Sequence, residues 1–279
     1  MLVDDDSLSV FDYRNIADEF KCLYLKNDVR KGVAKSRDIG VSLATTQNVF
    51  LLDAHMKFYC NGWDVKIEER LQNNPTTIYS TVSVVLNEKW ERIPDAPEGF
   101  GAYISDFPTC EKVFDFKWLT CPASPSNKIP LIMGAAYAFN REYYLKLRGL
   151  TGLQQWGMDE QYLSIKSYLA GGYCEVIPDI KVGHVYRKQL PYKTNEELLS
   201  FNRIFVLSVL MTEAAANNYL EEVKDKIPSF RDAYHLITKS QKMIDSLRSY
   251  YLSNFPRTFD DYLLFNDSFQ RNLVSKNGL

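Results

Sequence analysis

Two side chains that can bind a metal ion follow an apolar segment of the sequence. The run 48–52 (NVFLL) stops at Asp53, and His55 comes two residues later. Side chains two residues apart in an extended segment point the same way, so a carboxylate oxygen and an imidazole nitrogen can face one ion. Completed by phosphate oxygens, this set suits manganese or magnesium, which would neutralise charge on a leaving diphosphate. The spacing therefore predicts a metal site.

The chain has three histidines, and they invite different interpretations. His184 follows a segment typical of a strand, where a histidine is either a ligand or a hydrogen-bonded structural residue. A D-x-H pair also occurs by chance, but the end of a buried strand is where open α/β sheets bind ligands. That position favours the metal site at Asp53 and His55. We interpret His235, in a helical region, as structural or exposed.

These residues need a sheet to position them. Short apolar runs alternate with helical segments through the first half of the chain, which is typical of an α/β protein with a mostly parallel sheet and flanking helices. Besides the run before Asp53, the pattern predicts strands at about 2–3, 77–86, 101–105, 131–139 and 175–180, helices at about 28–44 and 159–170, and an irregular loop at 121–130.

The composition changes at about residue 195. Beyond it, three segments have helical patterns, separated by turn signals at Pro228 and Pro256; they are 196–224, 229–252 and 258–274. We therefore predict two domains, 1–195 with the sheet and 196–279 as a helical C-terminal extension, whose helices could also support oligomer formation.

Charge and cysteine content restrict the partners and predict a compartment. A net charge of −2 gives no general attraction to nucleic acid or anionic membranes. Five cysteines, with no C-x-x-C pair, argue against a disulfide framework and a zinc knuckle. No apolar run is long enough to span a bilayer, and the acidic N-terminus has no signal-peptide core. The sequence predicts a cytosolic protein.

Five sequence blocks, in order, resemble the catalytic domain of polypeptide N-acetylgalactosaminyltransferases. The segment 51–55 (LLDAH) resembles F-L-D-x-H, 156–160 (WGMDE) resembles W-G-G-E-N, and 182–187 (VGHVYR) resembles V-G-H-V-F-R. The segments 114–118 (FDFKW) and 130–141 are similar to two further blocks. The order and spacing extend over about residues 1–205 and imply a Rossmann-like GT-A fold of the family-2-like class.

The resemblance also implies roles for individual residues. The positions that match metal ligands are Asp53, His55 and His184, and those that match donor contacts are Asp4, Asp5, Arg37, Asp53, Gly134, Arg187 and Tyr192. Among these, Arg37 matches an arginine near the nucleobase. Arg187 and Tyr192 match a mobile lid that reaches the diphosphate, and an arginine fork suits phosphate oxygens. For the acidic start of the chain, a solvated terminus is an equal alternative.

Trp156, Asp159 and Glu160 match positions that flank the donor sugar and the acceptor. If the configuration at the sugar is inverted, a general base must take the proton of the acceptor hydroxyl, and Glu160 stands where inverting relatives have a carboxylate. If the configuration is retained, the leaving phosphate can accept that proton and Glu160 becomes a positioning group. Both alternatives stay open.

Three departures from the family pattern affect the expected function. The chain starts at what matches the second strand, so we expect an N-terminally shortened nucleotide-binding half. Gly134-Ala135 replaces a Gly-Gly pair beside the donor, which narrows the expected sugar pocket. A helical extension replaces the lectin domain. The acceptor is therefore open: glycan, lipid, protein, small molecule and modified nucleobase all fit.

We expect a metal-dependent glycosyltransferase that moves a sugar from a nucleotide-sugar, UDP-sugar above all, to an acceptor hydroxyl. The alternative is a truncated, non-catalytic module that binds a nucleotide or a partner. A nucleotidyltransferase or phosphohydrolase is a weaker alternative, because such sites need more carboxylates than Asp53 supplies.

Overall fold

The fold is built around the strand that ends before Asp53. The computed structural model describes residues 1–7, 12–105, 107, 114–123, 126–187, 194–224 and 229–277. The strands within these ranges are β1 Leu2–Asp4, β2 Tyr24–Lys26, β3 Asn48–Leu52, β4 Met56–Phe58, β5 Thr77–Leu86, β6 Ala102–Ile104, β7 Phe116–Trp118, β8 Lys128–Ile129, β9 Ala136–Asn140 and β10 Tyr173–Val185.

The helices cover the sheet and form most of the C-terminal part. They are α1 Arg14–Glu19, α2 Val33–Leu43, α3 Trp63–Asn73, α4 Arg141–Lys146, α5 Asp159–Leu169, α6 Glu196–Leu210, α7 Glu213–Val223, α8 Phe230–Lys239, α9 Gln241–Asn254 and α10 Phe259–Asn277. The predicted α/β class is confirmed.

The central sheet is mixed, whereas we expected a mostly parallel one. Its order is β3-β9-β5-β10-β4, with β8 also on β10. The β5–β10 pair is parallel, and the other pairs of this sheet are antiparallel. An apolar run indicates that a strand is buried on both faces, but such a strand can pair in a parallel or an antiparallel direction with the same side chains buried. The direction of each strand depends on the path of the segments that connect the strands, and the apolar pattern does not record that path.

Local chemistry explains where the predicted helices begin and end. The helix expected from about residue 28 begins only at Val33, because Gly32 has a φ of 85° and the Asp5 carboxylate accepts its backbone N–H at 2.7 Å. The segment expected as one helix over 196–224 divides between α6 and α7, because Thr212 caps α7 by accepting the N–H of Ala215 at 3.3 Å.

One apolar core joins the sheet to the C-terminal helices. Tyr162 of α5 and Phe205 of α6 are fully buried and pack edge-to-face, with ring centroids 6.1 Å apart. A smaller cluster around Ile67 and Leu71 packs α3 on the opposite face of the sheet. The helices expected beyond residue 195 are present, while the division into two domains at that residue stays a prediction.

Helix α10 completes the hydrogen bonding of a short strand. The buried side chain of Asn266 accepts the N–H of Ile104 in β6 at 2.9 Å and donates to its carbonyl oxygen, also at 2.9 Å. Gln270 donates to the same carbonyl oxygen at 2.8 Å. The amide of Asn266 thus imitates a neighbouring strand.

We expect Asn266→Ala to lower the free energy of unfolding by about 2 kcal/mol, because the buried N–H of Ile104 loses its acceptor while its carbonyl keeps Gln270. Urea unfolding measures the change. Ser268→Ala, an exposed position on the same helix, is the control and should change stability by less than about 0.5 kcal/mol. Equal effects of the two substitutions would contradict the strand-mimic role.

Candidate metal and donor site

The segment between β3 and β4 crosses from one part of the sheet to another. The N–H of Asp53 donates to the carbonyl oxygen of Ala135, just before β9, at 2.9 Å. Two residues later, the carbonyl oxygen of His55 accepts the N–H of Val185 in β10 at 3.2 Å. Because of this crossing, the carboxylate of Asp53 after β3 lies close to His184 near the end of β10, although β3 and β10 are not neighbours in the sheet.

Asp53, His55 and His184 lie together as a metal site requires. One ligand atom from each lies within 4.8 Å of the others. The Nε2 atom of His184 is 3.6 Å from Asp53 Oδ2, and the two imidazole rings are 4.6 Å apart between centroids. The buried Nδ1 of His184 has no hydrogen-bond partner among the described residues, so the protein alone does not satisfy this ring. The donor set of two nitrogens and one carboxylate fits a divalent ion.

The charges around this cluster favour ligand forms of its side chains. Burial raises the pKa of Asp53, but His184 and the charge of Arg37 outweigh it and leave the pKa below its ordinary value. Burial lowers the pKa of His55, and the neighbouring His184 lowers it further. At neutral pH the carboxylate is therefore ionised and the His55 imidazole neutral, which are the forms that bind metals.

Arg37 is a buried cation at the centre of the site. Its guanidinium donates to Asp53 Oδ1 at 2.9 Å and to the carbonyl oxygen of Gly134 at 3.0 Å, and it forms a second ion pair with Asp159. It also lies over the ring of Tyr137, 5.5 Å from the centroid. The family resemblance implied that Arg37 lies near the nucleobase. In the structure it contacts Asp53, a candidate metal ligand, and Asp159, the first residue of α5.

The two acids at the start of the chain are engaged inside the protein. Asp4 accepts from the hydroxyl of Tyr24 at 2.7 Å and from the N–H of Ser7 at 2.8 Å. Asp5 accepts from the N–H groups of Lys31 and Gly32, each at 2.7 Å. These bonds order the entry to α2, which carries Arg37. A direct contact of either acid with the donor stays a prediction.

Glu160 lies directly over Gly134. A Cβ added at Gly134 would lie 2.1 Å from Glu160 Oε1, so any larger residue at that position would displace the carboxyl group. Burial and then the neighbouring charge of Asp159 raise the pKa of Glu160 to about 8. Trp156, four residues earlier, is 41% exposed and stands at the surface of the loop before α5.

One of the two predicted lid residues, Arg187, lies within the described part of the chain. Arg187 is exposed, two residues after the end of β10. Tyr192 lies outside the described residues. Sequence reasoning overlooked Tyr186, whose ring packs edge-on against His184 at 4.3 Å between centroids and whose hydroxyl is 3.5 Å from Ser83 Oγ. The spacing of two residues from His184, at the end of β10, was the available signal.

Comparison with known proteins identifies the relatives of this chain. It is 26% identical over 256 residues to polypeptide N-acetylgalactosaminyltransferase 5 of Caenorhabditis elegans and 28% identical over 230 residues to the human polypeptide N-acetylgalactosaminyltransferase 10. These matches cover 86% and 81% of the chain. The chain is a homologue of the polypeptide N-acetylgalactosaminyltransferases. It spans only 39% and 36% of the length of these two relatives, and no protein-family model matches it.

A solved structure establishes the fold of this transferase homologue. The crystal structure of GalNAc-T7 with UDP, GalNAc and Mn²⁺ superposes with a TM-score of 0.70 at 22% identity, over 98% of this chain and 51% of that one. The predicted GT-A fold is thereby confirmed. The expected shortening of the N-terminal half stays a prediction.

The predicted cytosolic location is wrong. The polypeptide N-acetylgalactosaminyltransferases that the chain resembles are type II membrane proteins of the Golgi lumen. The prediction depended on the cysteines and on the N-terminal residues, and neither feature reports the compartment of such a homologue. Within the described residues, no helix combines the length and the apolar character that crossing a membrane requires.

The raised pKa of Glu160 predicts a pH-dependent stability. Between the ordinary pKa of 4.5 and about 8, the folded state keeps a proton that the unfolded chain has released. The free energy of unfolding should therefore fall as the pH rises through this window. Glu160→Gln should weaken that fall, measured by urea unfolding at pH 5, 6, 7 and 8. Glu222→Gln, on the exposed surface of α7, is the control. Identical slopes for wild type and Glu160→Gln would show that Glu160 is ionised in the folded protein.

Proposed function

We propose that this homologue is a glycosyltransferase that uses a UDP-sugar donor and a divalent ion, Mn²⁺ or Mg²⁺. The observation that carries the proposal is the cluster of Asp53, His55 and His184, with ligand atoms within 4.8 Å of one another, in a GT-A fold. The names of the relatives support sugar transfer, and the Mn²⁺ and UDP in the GalNAc-T7 crystal support the donor class.

The three ligands would hold the ion against the diphosphate of the donor, where a divalent ion stabilises the charge of the leaving group. Arg37 keeps Asp53 oriented by donating to its Oδ1 atom, which leaves Oδ2 facing His184. The exposed guanidinium of Arg187 is available for phosphate oxygens, which it can bind in a bidentate manner. The residues of 1–195 thus bind the donor in our proposal, and the helices of 196–279 support them.

Glu160 acts in this proposal as a positioning group beside the sugar. Because burial and the neighbouring charge of Asp159 raise its pKa, its carboxyl favours the protonated form, which can donate a hydrogen bond and is a poor general base. The carboxylate of Asp159 is engaged as well, because it forms an ion pair with Arg37. A transfer in which the leaving phosphate accepts the proton of the acceptor hydroxyl agrees with these charge states. Trp156, exposed nearby, would border the acceptor.

Purified protein incubated with UDP-sugars and Mn²⁺ should release UDP slowly without an acceptor, because water substitutes for the acceptor hydroxyl. A coupled assay for UDP measures the release, and EDTA should abolish it. Testing UDP-GalNAc, UDP-GlcNAc, UDP-glucose and UDP-galactose in parallel identifies the sugar. A folded protein that releases no UDP from any of them would contradict catalysis and favour a nucleotide-binding module.

Two substitutions test the ligands independently of catalysis. UDP at about a hundredfold excess over its Kd, with Mn²⁺, should stabilise the wild type by about 2.7 kcal/mol, or about 5 to 10 °C in Tm. Asp53→Ala and His184→Ala should each remove this Mn²⁺-dependent shift, because each deletes one ligand. His235→Ala, at an exposed histidine of α8, is the matched control and should retain it. A full shift in both ligand variants would show that the ion binds elsewhere.

A further inference from the structure

A single buried side chain connects α6 to the loop that precedes α5. Asn202 is fully buried, and its Oδ1 atom accepts the N–H of Gln154 at 2.8 Å. Its Nδ2 atom donates to the carbonyl oxygens of Gln154, Trp156 and Gly157 at 2.8, 3.2 and 3.0 Å. These four hydrogen bonds all go to the backbone of the segment 154–157, which we call the Trp156 loop.

The backbone of the Trp156 loop needs such support. Gln155 has a φ of 48°, Gly157 of 98°, and Met158, which follows the loop, of 72°. Left-handed conformations are unfavourable for residues with a side chain and persist when surrounding contacts enforce them. Met158 is the N-cap residue of α5, so the loop leads directly into Asp159 and Glu160 at the start of that helix. A change in its path would therefore displace both carboxyl groups.

The opposite side of the Trp156 loop lies against the start of α2. The carbonyl oxygen of Gln155 accepts the N–H of Ala34 at 3.3 Å. A Cβ at Gly32 would lie 2.2 Å from the Cα of Gln155, so the two backbones are in direct contact. On the α6 side, a Cβ at Gly157 would lie 2.6 Å from a methyl group of Leu199. The loop is thus held between α2, which carries Arg37, and α6, which carries Asn202.

We propose that Asn202 is a positioning residue for the sugar end of the site: its amide holds the Trp156 loop so that Trp156, Asp159 and Glu160 face the donor. The proposal rests on the proposed function. It requires an amide at this position, because the loop presents one N–H and three carbonyl oxygens to the same side chain. A carboxylate can accept from Gln154 but repels the three carbonyl oxygens, and alanine does neither.

Asn202→Asp is the first test, because it preserves the shape of the side chain and the acceptor for Gln154; Asn202→Ala is the second. Ser200→Ala is the matched control: Ser200 is buried on the same helix, but its hydroxyl lies 2.9 Å from the hydroxyl of Ser229, directly before α8.

Hydrogen–deuterium exchange of a peptide spanning 153–158 reports the opening of the Trp156 loop. Tm, the Mn²⁺-dependent UDP shift and the turnover of UDP-sugar report stability, the metal site and the chemistry.

Both Asn202 variants should exchange the 153–158 amides at least tenfold faster than wild type and should lower kcat for UDP-sugar roughly tenfold to a hundredfold. The UDP shift should stay, because the three metal ligands are untouched. Ser200→Ala should lower Tm without either effect. Unchanged exchange in both variants overturns the clamp whether or not the protein is active. Faster exchange in the variants with unchanged kcat overturns the link between the clamp and the site. Faster exchange in the variants, when the wild type itself shows no turnover, contradicts the proposed function alone.

Discussion

The buried guanidinium of Arg37 is the interaction on which the site depends. It contacts Asp53 after β3, the carbonyl oxygen of Gly134 before β9 and Asp159 at the start of α5. A buried cation is costly unless it is paired, and its two carboxylates would repel each other without it. The ion pairs therefore hold three segments at one geometry. Since Asp53 is also a candidate metal ligand, the same cation orients the carboxylate that an ion would need.

The surroundings of Arg37 show how the fold supplies that cation. Its helix, α2, begins after Gly32, whose backbone N–H donates to the Asp5 carboxylate at 2.7 Å and whose Cα lies against the backbone of Gln155. The next residue of α2, Asp38, accepts from the hydroxyl of Tyr144 at 2.7 Å and from the N–H of Leu150 at 2.9 Å. Adjacent residues of α2 thus serve different purposes: Arg37 faces the site and Asp38 fastens the helix to the segment after α4.

The C-terminal helices share one apolar core with the sheet. Residues of α6 are buried against α5, and Asn266 of α10 completes the bonding of β6. Their effect on the site is indirect, since none of the candidate ligands or donor contacts lies on them within the described residues. They supply the rigid surface against which the loop before α5 takes a strained path. Rigid support of this kind is what precise placement of reacting groups requires.

The sequence alone was sufficient to predict those features that depend on short patterns of neighbouring residues. The apolar run 48–52 and the ordered blocks predicted the strand before Asp53, the α/β class and the family resemblance, because burial and local motifs leave direct traces in residue order. The same information predicted that Asp53 and His55 meet, and they do, although the chain bends at 54–55 instead of continuing as an extended segment. It failed on strand direction, which no local pattern records, and its prediction of a cytosolic location was wrong.

The family resemblance implied that His184 meets Asp53; for the other distant residues, only the tertiary structure decided which of them meet. His184 reaches Asp53 because the segment after β3 crosses to β10, and Arg37 reaches Asp159 because α2 packs beside the start of α5. The raised pKa of Glu160 likewise comes from burial over Gly134 and from its neighbour Asp159. Such contacts join residues far apart in the chain; Arg37 and Asp159 are 122 positions apart, and Asp53 and His184 are further apart still. Residue types and spacing along the chain determine what chemistry is available, and packing across that separation decides which groups share one site.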